Sequence, residues 1–240
     1  MEEPNAVSAA DTISLANQRQ ALEVVSQSVL GLWEVVNNLT RLRPTHQQFY
    51  RVTIFGSARV GPGTWVYDAV ADLAFALAQM GVSIVTGGGP GLMQAANEGA
   101  ARAGPDAMQD SLGIRVDLPF EQSTNPYVGQ AFTHKTFFSR LHHFVLVSDA
   151  FVVVPGGIGT LLELSMVWQL LQVRKLYDTP LIVIGKMWAE LVHWTKDYMT
   201  EPGLELAGAA DLDIPTTVDT VEEAVAILGP HYEAWKAKNQ

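Results

Sequence analysis

Ala150-Phe151-Val152-Val153-Val154-Pro155-Gly156-Gly157-Ile158-Gly159-Thr160-Leu161-Leu162-Glu163 is the stretch on which the reading of this chain turns. Its first five residues are apolar and suit a buried strand. The glycines form a turn, and the run from Leu161 to Val173 reads as a helix. A glycine-rich turn at such a junction presents bare backbone N–H groups and the positive end of a helix dipole. That is a seat for a phosphate. Glu163 falls one turn inside the helix, within reach of what the seat holds. A seat beside a carboxylate points to a nucleotide or a sugar phosphate.

Outward from this stretch the pattern repeats. Val52–Phe55, Val82–Thr86, Leu112–Val116, Ala150–Val154, Leu181–Ile184 and Thr216–Val218 read as strands. Helical patterns cover 65–80, 92–103, 137–148, 161–173, 187–199 and 220–228. Apolar strands alternating with helices predict an α/β fold, a Rossmann-like doubly wound and mostly parallel sheet with helices on both faces. Ligands of such sheets bind beyond the carboxyl ends of the strands. The loops 56–63, 87–91 and 156–159 all follow strands, so all three are expected on that edge. Residues 46–240 are read as this one domain. Ahead of it, residues 1–45 are read as a tail and a long helix over 11–43. Leu15, Leu22, Val25, Val29, Leu32, Val36 and Leu39 recur there at helical spacing, Asp11 or Ser14 caps the start, and Pro44 ends it.

The chain has 240 residues, 48% of them hydrophobic and 17% charged, which suits a compact domain with a large core. It has no cysteine, which removes disulfides, thiolate metal sites and a cysteine nucleophile. A net charge of −10 argues against a general nucleic-acid surface. The acidic start Met1-Glu2-Glu3-Pro4 lacks the pattern of a signal peptide, and no apolar run reaches the roughly 18 residues of a membrane span. A cytoplasmic address is expected.

Gly87-Gly88-Gly89-Pro90-Gly91 lies between a strand and a helix. It lacks the G-x-G-x-x-G spacing and the ribose-gripping acid about 20 residues on, which disfavours NAD. No G-K-[S/T] follows, which disfavours a triphosphate loop. Three adjacent glycines exceed the needs of a turn and suit close approach of a ligand. In the first glycine loop, Ser57 can donate a hydrogen bond and Arg59 can pair with an anion. Arg140 stands in the helix before the key strand, beside an apolar stretch. His142 and His143 lack a metal-ligand spacing and are read as surface or packing residues. Leu118–Tyr127 reads as a rigid polar loop on the same edge, and Met166 and Trp168 as lining a pocket or a subunit contact.

Two of these motifs match a known pattern. Pro155–Glu163 fits P-G-G-x-G-T-x-x-E, and Gly87–Met93 reads G-G-G-P-G-L-M, one residue shorter than G-G-G-x-x-G-[L/M]-M. With Arg140 fifteen residues before Pro155, the chain resembles the Lonely Guy (LOG) family of nucleotide 5′-monophosphate phosphoribohydrolases over residues 50–200. The resemblance implies cleavage of the N-glycosidic bond of a purine nucleoside 5′-monophosphate, AMP or a cytokinin ribotide, to free base and ribose 5-phosphate. It implies Arg140 and Glu163 as the catalytic pair. Gly156, Gly157, Gly159 and Thr160 would hold the phosphate, and Gly87, Gly88, Gly89 and Gly91 would border the ribose phosphate. Ser57 and Asn125 would add further substrate contacts. It implies no metal and no cofactor, and a homodimer or larger homo-oligomer; the charge and hydropathy already lead to the expectation of no nucleic-acid or membrane partner. The chain departs from the family at Leu141, where a lysine commonly follows the arginine. No lysine is identifiable as a pyridoxal-phosphate anchor, so the lysine decarboxylase label used for the family is set aside. The alternative is a non-catalytic nucleotide or molybdenum-cofactor carrier, whose fold and glycine loops are similar.

Overall fold

A computed structural model describes residues 17–39, 49–117 and 123–239. The chain divides into two units, Met1–Thr45 and His46–Gln240. In the first, helix α1 spans Gln18–Leu39, within the range expected from its apolar repeat. The caps expected at Asp11 or Ser14 and at Pro44, and residues 118–122 of the polar loop, lie outside the described residues.

In the second unit the strands are β1 (Arg51–Phe55), β2 (Ser83–Thr86), β3 (Leu112–Val116), β4 (Gln130–His134), β5 (Ala150–Val153), β6 (Leu181–Ile184) and β7 (Thr216–Val218). The helices are α2 (Trp65–Gln79), α3 (Leu92–Arg102), α4 (Pro105–Gln109), α5 (Phe137–Val147), α6 (Ile158–Gln172), α7 (Lys186–Met199), α8 (Ala209–Leu212) and α9 (Val221–Asn239). The strands form one sheet in the order β4-β3-β2-β1-β5-β6-β7. Every neighbouring pair is parallel. The Rossmann-like α/β architecture is therefore present. The chain steps outward from β1 to β4, returns to lay β5 beside β1, and steps outward again to β7. The loops after β1 and β5 diverge at that reversal and leave a crevice, the place where open α/β sheets take their ligands.

Side-chain alternation divides the core between the two faces of the sheet. Val52, Ile54, Ile84 and Val152 pack with Leu73 and Leu77 of α2, Leu92 of α3 and Leu228 of α9. Phe55, Val85, Phe151 and Val153 pack with Phe144 of α5, Leu164 and Val167 of α6, and Trp188 of α7. Each such fully buried side chain contributes about 1.5–3 kcal/mol. The central strands β2 and β5 are buried along their whole length, which is why they read as unbroken apolar runs.

Four features differ from the sequence reading. Strand β4 was not expected, because an edge strand exposed along most of its length carries no apolar signature. The five-residue α4, opened by Pro105 at its start, and the four-residue α8 are too short for periodicity to show. Helix α9 runs past Pro230 to Asn239, where a stop near Leu228 was expected. Tyr232 and Trp235 pack their rings against Tyr50 at 5.3 and 5.5 Å, and that packing carries the helix through the proline. Helix α6 begins at Ile158, three residues earlier than its apolar run suggests.

Candidate active site

The turn after β5 leads into α6 with Gly157 at the cap position, no side-chain cap and no acidic residue in the first turn. The first intrahelical bond runs from Leu161 N–H to the Gly157 carbonyl at 2.9 Å. The N–H groups of Ile158, Gly159 and Thr160 precede it and have no intrahelical acceptor. Gly157, Ile158 and Gly159 are exposed. A methyl group built on Gly157 or Gly159 would meet nothing within 4 Å, so space above the turn is open. Gly156 differs: a side chain there would run into that of Thr160, which is itself buried. The turn thus joins an open face of N–H groups, suited to an anion, to a packed floor. Trp188 Nε1 donates to the Val154 carbonyl at 3.0 Å and fixes the end of the strand beneath.

Glu163 lies on the inward face of α6 and is 7% exposed. The early start of α6 places it about a turn and a half into the helix. Its Oε1 accepts from Arg140 Nη1 at 3.0 Å. Burial pushes the Glu163 carboxyl up from 4.5 to about 7, and the Arg140 charge and hydrogen bond pull it back less strongly. Arg140 stands in the first turn of α5, which Thr136 caps by accepting from Ser139 N–H. Its Nε donates to the Ile114 carbonyl in the middle of β3 at 2.8 Å, and its Cζ lies 5.0 Å from the centre of the Phe144 ring. Leu141, the next residue, is 8% exposed. Arg140 is therefore the cation that this helix brings to Glu163.

The glycine loop after β2 is built differently. Gly87, Gly88 and Gly89 are buried. Asn125, 6% exposed, donates from its side-chain amide to the Gly89 carbonyl at 2.9 Å and to Asn97 Oδ1 at 3.0 Å. Its backbone N–H donates to the Gly88 carbonyl at 3.0 Å. Thr86 Oγ1 donates to Asn97 Oδ1 at 2.7 Å and accepts from Gly88 N–H at 2.9 Å, and Asn97 Nδ2 donates to Ser111 Oγ at 2.6 Å. Asn125 is thus a brace of the loop. Gly91 has φ of +72°, and a side chain there would strike the backbone of Ser57 and Ala58. This close approach lets Leu92 N–H donate to the Ser57 carbonyl at 2.8 Å.

Ser57 closes the arrangement. Its N–H donates to the Pro155 carbonyl at 3.1 Å, linking the loops on either side of the crevice. Its Oγ accepts from Arg59 N–H at 3.1 Å, while Arg59 is exposed. The structure therefore brings together Ser57, the Pro155–Thr160 turn, Arg140, Glu163 and Gly87. It sets Gly88, Gly89, Gly91 and Asn125 into the supporting layer. Asn97 and Ser111 belong to that layer and were not singled out from sequence. An asparagine in the alanine-rich run that follows the glycine loop was the signal for Asn97.

Other singled-out residues lie elsewhere. His143 Nδ1 is 2.9 Å from His134 Nε2, its ring packs edge-on to Phe132, and burial pushes its pKa down to about 4. Trp168 lines a cavity of about 400 Å³ with Leu161, Leu191, Trp194 and Met199. Helical spacing sets Leu161, Ser165, Trp168 and Gln172 on the side of α6 opposite Glu163. Among the described residues no cluster of three or more metal-ligating side chains forms, and no helix is long and apolar enough to cross a membrane.

A parallel sheet with an uncapped glycine turn at its reversal point and a buried Arg–Glu pair behind it defines a Rossmann-like α/β protein. The chain belongs to the LOG family: the family model described as "Possible lysine decarboxylase" matches residues 93–228. It is 31% identical over 159 residues to cytokinin riboside 5′-monophosphate phosphoribohydrolase LOG2 of Arabidopsis thaliana, a match covering 60% of this chain and 73% of that protein. It is 28% identical over 218 residues to a probable enzyme of the same name, LOGL9, from Oryza sativa subsp. japonica, covering 85% and 92% of the two chains. In fold it is similar to the molybdenum cofactor binding protein of Rippkaea orientalis, with a TM-score of 0.56 at 18% identity, covering 77% of this chain and 98% of the other.

Proposed function

We propose that this protein hydrolyses the N-glycosidic bond of a purine nucleoside 5′-monophosphate, AMP or a cytokinin-type ribotide, to the free base and ribose 5-phosphate. The observation that carries the reading is the 3.0 Å Arg140–Glu163 pair, buried on the helix whose uncapped start forms the anion seat. Family membership and the names of the two plant relatives support it. In this scheme the 5′-phosphate sits on the N–H groups of Ile158, Gly159 and Thr160. Holding it there places the ribose over Glu163, so binding energy from the remote phosphate serves the reacting carbon. As the bond from C1′ to the base nitrogen breaks, positive charge builds on the ribose ring. The Glu163 carboxylate stabilises that charge and takes a proton from the attacking water, whose oxygen bonds to C1′. The bonding electrons leave with the base, which takes up a proton. Arg140 favours the ionised form of Glu163 against its burial and offers its remaining N–H groups to ribose or phosphate oxygens. The chemistry of this scheme uses no metal and no cofactor.

The test is incubation with a panel of nucleoside 5′-monophosphates and measurement of free base and ribose 5-phosphate. Release from a purine monophosphate is expected. No release from any purine or pyrimidine monophosphate would sink the reading. The second reading is a non-catalytic carrier of a nucleotide or a phosphorylated pterin. Its motivation is Leu141, which turns into the protein where the family commonly has a second cation. Tight pterin-phosphate binding without hydrolysis would favour it. The same proposal places the protein in the cytoplasm as a homodimer or larger homo-oligomer. A monomeric mass by light scattering at micromolar concentration would refute the assembly.

A further inference from the structure

We propose that Gly87 positions Arg140: the side chain it lacks is the slot through which the guanidinium reaches Glu163. The proposal deepens the phosphoribohydrolase reading, on which its kinetic test rests.

The guanidinium is held on three sides. Nε is bonded to the Ile114 carbonyl, Nη1 to Glu163, and Cζ lies over the Phe144 ring. The fourth side faces Gly87. A methyl group on Gly87 would lie 2.5 Å from Arg140 Nη2, 3.7 Å from its Cζ and 2.6 Å from Met93 Sδ. The first and last of these distances are shorter than carbon–heteroatom contacts allow, so something must move. The loop itself is tied down, because Gly88 N–H donates to Thr86 Oγ1 and the Gly88 carbonyl accepts from Asn125. Met93 is partly exposed, and its unbranched thioether can swing aside at small cost. Arg140 cannot yield without giving up Ile114, Glu163 or Phe144. The collision therefore falls on the ion pair. Gly87 does not have the positive φ of Gly88 and Gly91, so alanine fits its backbone. What glycine provides at this position is room for another residue's side chain.

The assignment separates the glycines of one loop by task. Gly87 admits Arg140. Gly91 admits the backbone of Ser57 and Ala58. Neither task requires a ligand to touch the glycine.

The test is Gly87→Ala in the full chain. The melting temperature is expected to stay within a few degrees, and kcat to fall about 10²-fold through displacement of Arg140, with little change in KM. The acid limb of the pH profile should move to higher pH, because Glu163 loses the charge that favours its ionised form. In an Arg140→Lys background, which has no Nη2 to collide with, the same alanine should cost less than about threefold, as coupled sites require. Full additivity of the two losses overturns the proposal. So does a rise in KM with kcat and pH profile unchanged, which would make Gly87 a ligand contact. Should the methyl group disturb the loop through Met93, the Gly87→Ala/Met93→Ala pair removes that clash and leaves the one with Arg140. A second arm needs no turnover: NMR titration of the Glu163 side-chain carboxyl should show its midpoint rising in Gly87→Ala. An unchanged midpoint overturns the proposal even if the protein cleaves no nucleotide, and a raised one supports it in the same circumstance.

Discussion

The two glycine clusters, Gly87–Gly91 and Gly156–Gly159, have nearly the same composition and opposite constructions. In the second, Gly157 and Gly159 are exposed under open space, and the helix behind them starts without a cap. In the first, three successive glycines are buried, Gly88 and Gly89 are bonded to Thr86 or Asn125, and Arg140 lies against Gly87. Glycine serves the second cluster by leaving N–H groups uncovered. It serves the first by letting protein atoms come close. Composition alone does not distinguish a surface that meets a ligand from a scaffold that meets the rest of the chain.

Glu163 sits between the two clusters, and it should show the largest effect. Glu163→Gln is expected to lower kcat about 10³-fold while leaving ligand affinity nearly intact, read by single-turnover kinetics and calorimetric binding. Retained turnover would mean that the open turn works without the pair behind it. The same carboxyl sets a pH term in stability. Its folded pKa lies above its unfolded value, so its stabilising contribution is complete below 4.5 and is lost as pH rises through about 7. Denaturant unfolding at pH 5 and pH 8 should show that loss in the wild type and not in Glu163→Gln.

Asn125→Ala tests the buried cluster. It strips a donor from the Gly89 carbonyl and from Asn97, and should cost about 2 kcal/mol of unfolding free energy, with activity falling as the loop loosens. The open cluster should respond in the reverse sense. Gly157→Val should raise KM about tenfold by crowding the anion face, with the unfolding midpoint nearly unchanged. A stability loss at Gly157 that matched the one at Asn125 would erase the contrast between the clusters.

The sheet was readable because β2 and β5 are buried on both faces and therefore apolar throughout. β4 escaped because its residues face outward at the edge of the sheet. The exposed turn was readable from its glycines, and the Arg140–Glu163 partnership came from the family motif, since 23 positions separate the two in sequence. The division of labour among the glycines was not readable. It depends on what β3, α3 and α5 place opposite each one, and no local pattern carries that. Asn125 shows the same limit: the family resemblance implied a ligand contact, and its hydrogen bonds go to the loop.

The bond from Ser57 N–H to the Pro155 carbonyl gives the crevice a latch. It bridges the two loops that part at the sheet's reversal point, so spreading them breaks it. The exchange of that one amide proton with solvent then becomes a clock for opening. It should slow when a nucleotide closes the gap, and its protection factor reports how often the empty site opens.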